Sequence, residues 1–143
     1  MPGSRKLGRP TAHRKAMLRG MVTYLLEHGQ IETTYTRAKE VSALADKMMS
    51  IAKQNNLAAY RQLLTFITKQ EVAKKLMEVT AHLYRDIPGG YTQVYKTGPR
   101  RGDGAEMAVI RLTPVKQPEP EQTEKPKKRA AKKAKPQAEP LEA

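Results

Sequence analysis

Pro88-Gly89-Gly90 divides the sequence into two kinds of pattern, and that division limits the fold more than any other feature. Proline supplies no amide proton and paired glycines pack no side chain, so neither helix nor strand runs through the triplet. Ahead of it, apolar residues recur at helical spacing. Met17, Leu18, Met21, Val22 and Leu25 predict a first helix from about Ala12 to His28, stopped at Gly29. The β-branched run Ile31-Glu32-Thr33-Thr34 predicts a short strand. Thr36 is placed to cap a second helix carrying Ala38, Val41, Ala45, Met48 and Ala52 on one face and ending at Asn55-Asn56. Two shorter helices follow, one through Tyr60, Leu63, Leu64 and Ile67, the other through Val72, Leu76, Val79 and Leu83. Beyond the break, Tyr91 to Thr97 and Ala105 to Leu112 read as strands joined by the loop Gly98 to Gly104. The fold class is therefore α+β: a two-layer domain of about four helices packed on one face of a small mixed or antiparallel sheet. The early strand is expected to join the hairpin, because a lone two-stranded hairpin is marginal in water.

The last 27 residues set the other limit. From Gln117 to Ala143 the chain uses only Pro, Glu, Gln, Lys, Arg, Ala and Thr apart from Leu141. Such a segment buries too little apolar surface to offset the entropy of ordering it, so a disordered tail over 117–143 is expected behind a folded body over 1–116. The tail's seven basic and five acidic residues leave the body with +11 of the chain's net +13. A compact body with that much like charge repels itself unless an anionic partner offsets it.

The charge is unevenly placed. Arg5, Lys6, Arg9, Arg14, Lys15 and Arg19 precede the first acid, Glu27. Gly3, Gly8 and Pro10 keep the opening out of a helix, so residues 1–11 read as an extended basic arm entering a basic helix start. An arm of this kind suits structured RNA, whose grooves and phosphates it can follow. Lys15 and Arg19 lie beside the apolar stripe, leaving the helix to pack through Met17, Met21 and Leu25. His13 sits among these cations. Arg100 and Arg101 fall at the hairpin tip among glycines, a setting in which two arginines clamp phosphate.

Other functions find little in the residues. No stretch approaches the roughly 20 apolar residues of a membrane span, and no signal-peptide pattern opens the chain. The absence of cysteine removes disulfides and thiolate metal sites and fits a reducing cytoplasm. His13, His28 and His82 lack metal-site spacing, and there is no phosphate-cradling Gly-rich motif or nucleophile elbow. No cofactor, no metal, no catalysis and no homo-oligomer are expected. A rival remains in a DNA-compacting protein, resting on Lys125-Pro-Lys-Lys-Arg-Ala-Ala-Lys-Lys-Ala-Lys135; an RNA-modifying enzyme is a third reading without an identifiable site.

Two blocks carry a resemblance. The first, LGRPTAHRKAMLRGMVTYLLEHGQIETTYTRAKE, and the second, YRDIPGGYTQVYKTGPRRGDGAEMAVIRL, are similar in motif, order and separation to the family of ribosomal protein seventeen of the bacterial large subunit, over about residues 5 to 112. The resemblance implies a structural, cytoplasmic protein that binds large-subunit ribosomal RNA on the outer face of that subunit, near the peptide exit tunnel. Neighbouring ribosomal proteins, including large-subunit protein thirty-two, are the implied partners. Gly8, Arg9, His13, Arg14, Arg19, Lys39, Tyr91, Lys96, Arg101 and Asp103 carry over as family positions. The candidate RNA-binding set is then Arg5, Lys6, Arg9, His13, Arg14, Lys15, Arg19, Arg37, Lys39, Lys96, Arg100 and Arg101. The chain departs from the family pattern at Gly20, Ile87, Gln93 and Arg111.

Overall fold

The computed structural model describes residues 5–114; the expected tail over 117–143 and the first four residues of the arm lie outside the described residues. The chain enters through a turn in which Arg9 N donates to Lys6 O (3.1 Å), with Leu7 packed against the core. Helix α1 (Thr11–His28) follows Pro10, whose extended conformation and fixed φ start it without a side-chain cap. It stops at Gly29, which takes a φ of 81° and returns its amide to Leu25 O at 2.8 Å. That left-handed corner turns the chain directly into strand β1 (Gln30–Thr34).

Helix α2 (Tyr35–Ala52) begins at the next residue. Its N-cap position is Thr34, which makes no side-chain cap bond; Thr36, the expected cap, lies inside the first turn. The strand runs into the helix without a loop, so the cap falls two residues early. The anticipated face is otherwise correct: Ala38, Val41, Ala45, Met48 and Ala52 are all buried. Asn56 then caps α3 (Leu57–Phe66), its Oδ1 accepting from Ala59 N at 2.6 Å.

The fourth helical stretch departs from its sequence pattern for a physical reason. It starts as α4 (Gln70–Lys75), passes through a π-helical turn (Leu76–Thr80) and ends as α5 (Ala81–Leu83). The wider turn rotates later residues around the axis, so Thr80 and Ala81 become buried while Val79, expected on the apolar face, is exposed.

Strands β2 (Thr92–Pro99) and β3 (Glu106–Leu112) complete a three-stranded antiparallel sheet in the order β1-β3-β2. The early strand thus pairs with the hairpin as expected. The hairpin loop is shorter than the sequence indicated. A bulge between Lys96 and Gly98 lets β2 continue, with Pro99 opposite Glu106, leaving only Arg100–Ala105 between the strands. Gly98 makes the bulge possible with a φ of 108°, which side-chain-bearing residues rarely adopt.

The sheet has two unlike faces. Ile31, Thr33, Ala108 and Ile110 face the helices, and Ala108 and Ile110 are fully buried beneath α2. The core joins these to Leu18, Val22 and Leu25 of α1, with Met17 and Met21 at its margin instead of at its centre. At the Pro88-Gly89-Gly90 corner, the buried Tyr91 meets Tyr84 edge-on (5.9 Å between centroids), and Lys53 Nζ donates to Ile87 O at 2.7 Å. Among the described residues no buried side-chain polar atom lacks a partner. None of the described helices is long and apolar enough to cross a membrane.

Candidate nucleic-acid interface

Sheet topology gathers several of the sequence-selected cations at one end. Because β1 and β2 both run antiparallel to β3, the end of β1, the start of α2 and the Arg100–Ala105 loop lie at the same end of the sheet. Lys96 of β2 and Lys39 of α2 both stand over the Tyr35 ring, their ammonium nitrogens 4.4 and 5.0 Å from its centroid. Lys39, with Lys96 adding to it, holds the Tyr35 phenol below its ordinary pKa. Lys96 is shared with Glu106 at 3.4 Å. Arg5 approaches Glu40, in the second turn of α2, at 4.0 Å, so the arm also reaches this end. Tyr35 did not stand out in the sequence: an aromatic residue at a strand-to-helix junction has no spacing to betray it.

The hairpin tip separates its two arginines. Arg100 sits at the loop's base, its amide bonded to Ala105 O at 2.8 Å. Its guanidinium grips Asp103 through both carboxylate oxygens, Nε meeting Oδ1 at 3.1 Å. That guanidinium, helped by the Ala105 amide, holds the Asp103 carboxyl at about 2. Arg101 is exposed at the tip and has no partner among the described residues. Arg100 therefore shapes the loop, while Arg101 is the cation left available.

The same distinction runs along α1. Among the described residues Lys6, His13, Arg14, Lys15, Arg37 and Arg101 make no hydrogen bond or ion pair through their side chains. Arg9 instead donates to Leu7 O (3.0 Å) within its own turn. Arg19 Nε donates to Phe66 O at 2.8 Å, closing the C-terminal end of α3 onto α1. One helical turn further, Thr23 receives the Thr68 amide at 3.3 Å. Lys69 then holds Glu27 through both oxygens at 2.7 Å, which keeps the Glu27 carboxyl below its usual range. Arg19 was expected to face a partner; its side chain bonds the end of α3 through Phe66 O. Lys47, Arg61 and Arg85 are also exposed and unpaired among the described residues, but they are dispersed over α2, α3 and the corner after α5.

Chemically, this end of the domain offers ammonium and guanidinium groups, and among the described residues no cluster of His, Cys, Asp or Glu could hold a metal ion. Phosphate oxygens are the ligands such a surface recognises, by charge-assisted hydrogen bonds from several directions.

Comparison with known proteins bears on the same stretch of chain. Residues 17–113 match the family model described as Ribosomal protein L17. A protein of Clostridium perfringens (strain SM101 / Type A) named large ribosomal subunit protein bL17 is 57% identical over 112 residues, covering 78% of this chain and 99% of that protein. A protein of the same name from Clostridium botulinum (strain Hall) is 55% identical over the same length and with the same coverage.

Proposed function

This chain belongs to the ribosomal protein L17 family, and from that membership we propose that it fixes segments of large-subunit ribosomal RNA relative to one another through its arm, the start of α1, the start of α2 and the tip of the hairpin. As a member of that family it is a structural, non-enzymatic constituent of the large ribosomal subunit, associated with that subunit's RNA and proteins. Its site of action is the bacterial cytoplasm. The finer contacts belong to the proposal: phosphates held by Lys6, His13, Arg14, Lys15, Arg37 and Arg101, assisted by Arg5, Arg9, Lys39 and Lys96, and a protein neighbour in large-subunit protein thirty-two. The observation that carries the reading is the set of cations left without internal partners around the arm, the helix starts and the hairpin. A cation already bonded to a carbonyl must break that bond to reach RNA; an unpaired one loses only hydration and counterions.

Sucrose-gradient sedimentation of a cell lysate, at moderate and then at high salt, tests the assignment. Comigration with the large subunit in both conditions is the expected result. Recovery in the free or chromosomal fraction contradicts it. The division into a binding body over 1–116 and a tail over 117–143 belongs to the same proposal. Deleting 117–143 is expected to leave ribosomal RNA affinity almost unchanged, whereas a DNA-compacting protein of this composition would lose most of its binding.

A further inference from the structure

The sheet face turned away from the helices carries a second kind of surface. Two cross-strand rows cross it: Gln30, Arg111 and Gln93 in one, Glu32, Val109 and Tyr95 in the other. Beside β1, the end of α1 raises Tyr24 and His28, and together with Gln30, Ile31, Glu32, Val109 and Arg111 these enclose an open groove of about 800 Å³. Of the exposed tyrosines among the described residues, Tyr24 lines this groove and Tyr95 lies beside it, against Arg111. Tyr24 and Tyr95 are about half exposed, at 49% and 50%. Each tyrosine ring already lies against a second planar group. Tyr24 lies 4.2 Å from the His28 ring between centroids, and the Arg111 guanidinium carbon is 5.9 Å from the Tyr95 ring centre.

We propose that this groove receives unpaired bases of RNA, stacked on Tyr24 within it and on Tyr95 beside it, next to the groove-lining Arg111, at a site distinct from the phosphate-binding end; the proposal rests on the RNA-binding reading above. Planar rings backed by cationic or conjugated groups are what single-stranded bases stack on, whatever their identity. The groove sets one carboxylate, Glu32, beside the Arg111 guanidinium, unlike the all-cationic arm. Glu32 has no ion-pair partner among the described residues, and its carboxylate opposes phosphate. The same carboxylate accepts from the exocyclic amine of cytosine, and Gln30 supplies an amide able to donate or accept at base edges. The arm and helix start, by contrast, contain no acid before Glu27. One domain thus presents a phosphate surface and a base surface on different sides.

The test compares the full chain's affinity for a short polycytidine strand with that for an abasic strand bearing the same number of phosphates. The polycytidine strand is expected to bind more tightly. Tyr24→Ala and Tyr95→Ala should each remove roughly tenfold of that advantage while leaving abasic binding and the circular dichroism spectrum unchanged. Tyr24→Phe and Tyr95→Phe should retain it, because stacking does not need the hydroxyl. Equal affinity for the two strands would overturn the base site and leave the phosphate reading standing; salt-insensitive or absent binding of both would overturn the two together. In intact large subunits, ultraviolet crosslinks from Tyr24 or Tyr95 to RNA bases are expected. Crosslinks from this face to protein instead would assign the groove to a neighbouring subunit protein and end the proposal.

Discussion

The seam where α1 meets the end of α3 and the start of α4 bonds its cations internally, whereas the hairpin end mixes paired cations, Arg100 with Asp103 and Lys96 with Glu106, with unpaired ones. At the junction Arg19 is bonded to Phe66 O, Lys69 to Glu27, and Lys75 donates to Glu27 O at 3.0 Å. At the hairpin end Arg101 is exposed and, like Arg37 at the start of α2, has no partner among the described residues. Positive charge in the sequence is therefore a poor guide to RNA contacts until the internal acceptors have been counted. The junction's cations hold helices together; Lys6, Arg14, Lys15, Arg37 and Arg101 make no side-chain bond among the described residues and stay available to an anionic partner.

Substitution can break this contrast directly. Arg19→Ala leaves the Phe66 carbonyl without its donor, which should cost about 1–3 kcal/mol and lower the melting temperature by several degrees, since about 1 kcal/mol corresponds to roughly 4–8 °C in a domain of this size. Its salt slope for RNA binding should stay as in the parent. If the slope falls and the melt does not move, Arg19 belongs to the interface. Arg101→Ala should do the reverse, reducing the magnitude of the log–log salt slope by about 1 with an unchanged melt.

Smaller effects sharpen the same boundary. Gly20 lies on the exposed side of α1 with open space around its α-carbon and no positive φ. Gly20→Ala should stabilise the fold by about 0.5–1 kcal/mol through helix propensity and leave RNA affinity within error, unless RNA approaches the helix closely there. The smallest effect is a local one. Asp103 has a folded pKa of about 2, below its ordinary value of 3.8. The pairing with Arg100 is therefore fully present above about 4 and is lost as pH falls through about 2. Amide shifts of Asp103 and Ala105 should be flat from neutral pH down to about 4 and move only below it; a transition near pH 6 would contradict the pairing.

The fold was legible where local pattern and tertiary packing agree. The stripe of α2, the stop at Gly29 and the break at Pro88-Gly89-Gly90 follow from spacing and backbone chemistry that tertiary contacts do not override. Three features were not legible. The cap at Thr34 moved because β1 passes into α2 without a loop. The π-helical turn displaced Val79 from a face that regular spacing assigned to it, and no residue type marks such a turn in advance. The bulge that lengthens β2 depends on the register with β3, a relation between segments. Among candidate site residues, sequence placed the cations along the arm, helix starts and hairpin but could not tell which of them bond internally, Arg100 from Arg101 or Arg19 from Lys15. That difference depends on which carbonyl or carboxylate lies within reach. Tyr24, Tyr35 and Tyr95 escaped notice for the same reason, since only the folded register shows which rings face solvent and which cations stand against them.

The most direct test of the central claim is the salt dependence of the full chain's affinity for large-subunit ribosomal RNA. Neutralising about six phosphates predicts a log–log slope of about −4 to −5. A slope shallower than about −2 would mean that the unpaired cations do not engage several phosphates at once and that this end of the molecule is not the RNA interface.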